Sequence, residues 1–287
     1  KVLRDIKVEV TYDNGKGFYS EERYRSPWWD QILDDVIVNF SQLPKPDYKS
    51  RYNNIKDATG FEYLIVVPDQ ADFLAWADTI KEFRTKQGIY TGIVTTTEIG
   101  GNTVNEITNY VANAYNTWEI PPVAVLLMSD YSAPGTTTGI TSPSFQHPYS
   151  ETYITDNRYA DVTEDLLPEI AFARMTANNA DQLEIMVKKF INYETNPPTN
   201  PSFYDNPITA LGWQTERWFQ ICSEVVGGFW KNSLGKNPVR VNAIYQGTPG
   251  SSWSSATNTA AVVNYFGPTG RNYIPATPAE LGGWSGG

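Results

Sequence analysis

VAVLLMSD, residues 123–130, and DVTEDLLPEIAFAR, residues 161–174, decide how this chain is read. The first is an unbroken apolar run that stops on an acid, Asp130. The second sets Asp165 and Glu169 ahead of another apolar run. Apolar runs of this length, bounded by turn residues, read as strands buried on both faces, as in a parallel sheet covered by helices. Asp130 is then expected at the carboxyl end of a central strand, where open α/β sheets place ligands.

Upstream, FEYLIVVPD (61–69) reads as a buried strand. The helix after it is expected to turn Leu74, Ala77, Ile80 and Phe83 inward and to stop at Gly88. A β-rich segment (IYTGIVTTTEIG, 89–100) follows, then a helix with Val104, Ile107, Val111, Ala114 and Tyr115 on one face. After 174, an Asn at 178 or 179 is expected to cap a helix whose inner face carries Leu183, Met186, Val187 and Phe190. Strand and helix in strict alternation mean βαβ units with right-handed crossovers. The polar stretch 131–158 has one strand-like patch, around Tyr153, and long loops of this kind are commonly functional.

Three segments are expected. Residues 1–58 form a β-rich leading segment with a linker, because Val2, Ile6, Val8 and Val10 alternate with polar residues; it reads as the tail of an upstream domain or pro-domain. Residues 59–200 form the α/β subdomain, and 201–287 begin a second one after the Pro/Asn-rich NPPTNPSFYDNP. In the second, ITALGW and VRVNAIYQG read as strands, and the helix between them aligns Phe219, Cys222, Val226 and Trp230.

Composition narrows the function. Charged residues at 19% and hydrophobic residues at 40% describe a folded chain, and a net charge of −10 argues against nucleic acid as a partner. No apolar run reaches the 18 residues a membrane span needs. The first residues lack the apolar core of a signal peptide, so a processed chain is expected. No Gly-rich phosphate loop follows any strand, which disfavours a nucleotide-binding domain.

Asp165 and Glu169 lie four apart in a loop, and Asp130 would add a third carboxylate. Calcium takes six to eight oxygens from carboxylates and main-chain carbonyls and tolerates irregular geometry. From spacing alone, separate solvated carboxylates remain the better reading, with a shared cation as the alternative.

LIVVPD, the helix ending RTKQG with IYTGIVTTTEIG after it, VAVLLMSD, TDNRYAD, PEIAFARMTANNADQLE and FINYE together resemble the gingipain-type cysteine peptidases. The resemblance covers roughly residues 61–195 motif by motif and only the general layout beyond 208. It implies a caspase-like α/β fold, a parallel sheet flanked by helices, and an extracellular or cell-surface enzyme acting on protein or peptide substrates. It also implies a calcium ion held by the side chains of Asp130, Asp165 and Glu169 with the carbonyls of Val162 and Leu167, which reverses the preference reached from spacing.

The same resemblance exposes a gap. Members of that family carry a His-Gly pair and a downstream Cys, whereas this chain has one His, His147 in a loop, and one Cys, Cys222 in a helix. His147 reads as a surface residue and Cys222 as a small buried hydrophobe. The nucleophile and base are therefore expected on a downstream chain of the same precursor, or to have been deleted, with the Gly/Ser-rich end serving as a processing loop. Glu216, just after the first strand of the second subdomain, is the position the resemblance gives to a His-orienting carboxylate; an exposed helix-start Glu is the plainer reading. The competing functional reading is a non-catalytic surface or binding protein that keeps the fold.

Overall fold

The computed structural model describes residues 21–53, 58–131, 139–149, 151–211 and 218–242. The chain divides into two units, Lys1–Glu194 and Thr195–Gly287.

In the first unit, α1 (Pro27–Val36) and α2 (Tyr48–Asn53) precede β1 (Tyr63–Val67), α3 (Ala71–Lys86) and β2 (Thr91–Thr95). A short α4 (Thr96–Ile99), then α5 (Val104–Thr117), leads to β3 (Ala124–Leu127). The hairpin β4 (Ser144–Gln146) and β5 (Thr152–Ile154), one turn of helix α6 (Asn157–Ala160), β6 (Ala171–Arg174) and α7 (Ala180–Thr195) complete the unit. The main sheet has the order β2-β1-β3-β6, and all its pairings are parallel. The expected parallel sheet flanked by helices is what the structure contains.

Alternation within the buried strands sorts the core onto two faces. Leu64, Val66, Val94, Val125 and Leu127 pack against Ile107 and Val111 of α5. Ile65, Val67, Leu126 and Met128 pack against Phe73, Ala77 and Ile80 of α3 and Leu183 and Val187 of α7. Of the stripes expected for α3 and α5, Ala77, Ile80, Ile107, Val111 and Ala114 are buried and Leu74, Phe83, Val104 and Tyr115 half-buried, with Phe73 joining that of α3. Gly88 ends α3 at φ 82°, and Asn179 Oδ1 accepts from Gln182 N at 3.0 Å to start α7. Thr95 with Glu98 and Thr103 with Glu106 form capping boxes for α4 and α5.

The alternating run at 2–10 lies outside the described residues. The described part of the leading segment, 21–53, is helical rather than extended. Ser26 accepts from Trp28 N and Pro27 occupies the first helical position, so local start signals outweigh the β-rich character expected of 1–58.

In the second unit, α8 (Pro201–Asp205) precedes β7 (Ile208–Leu211), α9 (Trp218–Asn232) and β8 (Val239–Asn242), with β7 and β8 paired in parallel. Cys222 is exposed, contrary to its expected burial. Gly228 is buried and Gly227 faces Thr209 and Pro238 at ordinary contact distance, so α9 packs through its small residues and leaves Val226 and Phe229 outside. The linker and α8 follow directly after α7, which puts the observed boundary between 194 and 195, ahead of the expected 200.

Candidate metal site

The parallel register fixes where each predicted ligand stands. Leu127 is level with Arg174, and Ala124 with Ala171. Asp130 therefore follows the carboxyl end of β3, whereas Glu169 precedes β6 at the amino end of the sheet. In a parallel pair the end of one strand is adjacent to the end of its neighbour, not to its start. Asp130 does not join Asp165 and Glu169, and this corrects the expected grouping. Its Oδ2 instead accepts from Asn178 Nδ2 at 2.9 Å, and its Oδ1 from Tyr131 N at 2.8 Å.

At the amino end the loop 161–169 gathers three carboxylates. Asp161, Asp165 and Glu169 each offer an oxygen, and the three oxygens lie within 4.8 Å of one another. Asp161, which the sequence reading passed over, is the buried member at 5% exposure. A signal was available: 161, 165 and 169 continue one spacing of four. Asp161 accepts from the N–H groups of Asp165 and Leu166, both at 3.1 Å. Glu169 Oε2 accepts from Val162 N at 2.7 Å and Thr163 N at 3.1 Å, while its Oε1 accepts from the Thr163 hydroxyl at 2.9 Å. Asp165 Oδ1 accepts from Leu167 N at 2.9 Å. Val162 and Leu167 meet the carboxylates through their N–H groups, which leaves their carbonyls, the groups expected to ligate, out of these bonds.

These bonds force the loop into a tight coil. Glu164 and Leu166 have φ of 61° and 75°, the left-handed region that residues with a Cβ seldom occupy. Strain of this kind, of order 1–3 kcal/mol per residue, persists where the surroundings over-determine it.

Among the described residues none of the three carboxylates is paired with Lys or Arg; the neighbouring Arg158 bonds Glu164 at 2.6 Å. A carboxylate has about four lone-pair positions, so each retains acceptor capacity after its N–H bonds. The donor set is all oxygen and irregular, which fits a hard divalent cation. Tyr115 lies near this group. Burial first, then Tyr24 and the Glu169 charge, push its phenol up to about 12.

The carboxyl end is organised by Arg174, which the sequence reading treated only as the end of a strand. Its Nε and Nη2 donate to the two Asp156 oxygens at 2.7 and 2.8 Å. Nη2 also reaches Ser142 Oγ at 2.9 Å, and Nη1 donates to the carbonyls of Ser129 and Ile140 at 3.0 and 2.9 Å. Every guanidinium N–H is used. Ser142 and Asp156 flank the β4–β5 hairpin, so one side chain ties both of its stems to the sheet. His147 is exposed in the turn of that hairpin, its Nδ1 accepting from Tyr149 N. Glu216 lies outside the described residues.

A sequence model of peptidase family C25 matches residues 56–272. No curated protein matches the chain significantly. Two solved structures are similar at 16% identity. One is a complex of Porphyromonas gingivalis RgpB pro- and mature domains, with TM-score 0.48 over 69% of this chain and 45% of that one. The other is the Arg-specific cysteine proteinase gingipain R, with TM-score 0.47 over 64% of this chain and 41% of that one. The chain spans less than half the length of either.

Proposed function

Because the chain belongs to peptidase family C25, we propose that it is the amino-terminal portion of a secreted, gingipain-like cysteine endopeptidase. The observation that carries this reading is the family match from residue 56 to 272, which runs through both units. The catalytic His and Cys are supplied by a downstream chain of the same precursor. There a thiolate attacks the peptide carbonyl, an imidazole moves the proton, and backbone N–H groups receive the oxyanion. Glu216 is proposed to orient that imidazole. No described helix is long and apolar enough to cross a membrane.

Asp161, Asp165 and Glu169 would hold calcium. The ion supplies the positive charge that three converging carboxylates otherwise lack. Asp161 and Glu169 orient the loop by accepting its N–H groups, so the cage is shaped before a cation arrives.

The test is the protein from its natural source, resolved by intact mass and native gel after labelling with a thiol-reactive peptidyl probe. A companion chain that carries a Cys and takes the label is expected. A preparation that holds this polypeptide alone and stays unlabelled would sink the peptidase reading. It would favour the second one, a binding protein that keeps the fold.

A further inference from the structure

The leading segment reads from sequence as the tail of an upstream domain or pro-domain, but its contacts are those of an integral part. Arg23 lies across the end of α5. Its Nη1 donates to the carbonyls of Tyr115 and Trp118 at 2.9 and 3.1 Å, and its Nη2 to that of Asn116 at 3.1 Å. These are among the last acceptors of a helix, which have no partner within it and carry the negative end of its dipole. The Tyr24 ring stacks on Tyr115 with centroids 4.5 Å apart.

Arg51 of α2 then locks the segment onto itself, donating to the carbonyls of Arg25 and Arg23 at 2.6 and 3.0 Å. Arg25, 6% exposed, grips Asp30 with two bonds of 2.8 and 2.9 Å and reaches Pro44 O at 2.8 Å. At the far end of the segment the Tyr52 hydroxyl donates to the carboxylate of Glu62. Glu62 is fully buried just before β1. Its other donor is Tyr90 N at 3.4 Å. Without the segment, the end of α5 loses its cation, and among the described residues the buried carboxylate keeps one long hydrogen bond.

We infer that residues 21–53 are a permanent strap of the first unit, whose docking surface is the last turn of α5 together with Glu62. Trimming of a precursor therefore stops upstream of Glu21, not between α2 and β1. The inference does not depend on the peptidase reading, because its test uses an added protease.

The whole chain is digested briefly with subtilisin and the surviving fragments are mapped by mass. The first unit is expected to survive with residue 21 onward attached. A chain lacking residues 1–57 is expected to melt roughly 5–10 °C below one lacking residues 1–20. The double variant R23M/R51M, which keeps the strap covalently joined, is expected to lose residues 21–53 to the protease at least tenfold faster. A resistant core that begins after residue 53 and melts with the whole chain overturns the inference. So does a double variant trimmed at the wild-type rate.

Discussion

The two ends of the main sheet handle charge in opposite ways. At the carboxyl end a single guanidinium, Arg174, meets one carboxylate, Asp156, and fills its remaining donors with a hydroxyl and two carbonyls. That end is balanced within the fold. At the amino end Arg51 points at main-chain oxygens and Arg23 at main-chain oxygens and Glu21, while Asp161, Asp165 and Glu169 converge with N–H groups and the Thr163 hydroxyl as their donors. A loop that gathers three carboxylates and holds them with strained backbone is the place in this unit where a cation would be most strongly favoured. The acidic loop at the strand starts, rather than Asp130 at the strand ends, is therefore where calcium is proposed to bind.

Substitutions separate the two ends. Arg174→Met should have the largest effect, since it leaves the half-buried Asp156 without its cation; breaking one side of a fully buried pair costs about 3–5 kcal/mol, which is the upper bound here. A urea midpoint measures it. Arg174→Lys should recover only part, because an ammonium cannot reproduce the two-pronged contact.

At the other end, calcium at a hundredfold excess over Kd should stabilise the chain by about 2.7 kcal/mol. Glu169→Gln keeps an oxygen for Val162 and Thr163 while removing the charge. It should abolish the calcium response and raise the melting temperature in EGTA by relieving repulsion. A variant that still responds to calcium would move the site elsewhere.

The dependence on pH should be gentler. Burial first, then the bond to Glu62, hold the Tyr52 phenol well above its ordinary 10.0. Its contribution to stability is whole below pH 10 and is lost as the pH climbs toward the raised folded value. Tyr52→Phe should flatten that alkaline decline in a pH series of thermal melts. On the acid side, burial pulls the Glu194 carboxyl up, but the bonds from Arg84 and Gln87 outweigh it and leave the group below 4.5. That contribution is present above pH 4.5 and fades as the pH falls through the lowered value, so Arg84→Met should make the acid limb shallower. Smallest of all, Thr95→Ala at the cap of α4 should cost about 1 kcal/mol by chemical denaturation.

The sequence by itself determined the elements of the sheet and its helices, because their signals are local: apolar runs, a period near 3.6, capping residues and a terminal Gly. The stripe Ile107, Val111 and Ala114 and the Asn179 cap were legible for that reason. The carboxylates at 165 and 169 were also legible as a pair, since a short loop keeps near neighbours together. Tertiary structure decided the rest. Asp130 and Glu169 are both acids beside strands, and only the parallel register shows that they stand at opposite ends of the sheet. The structural roles of Arg23 and Arg174 carry no local pattern, because the carbonyls Arg23 holds lie 92 to 95 residues away and the partners of Arg174 lie 18 to 45 residues away. Contacts at that range depend on how the chain crosses over, and no window of neighbouring residues records it.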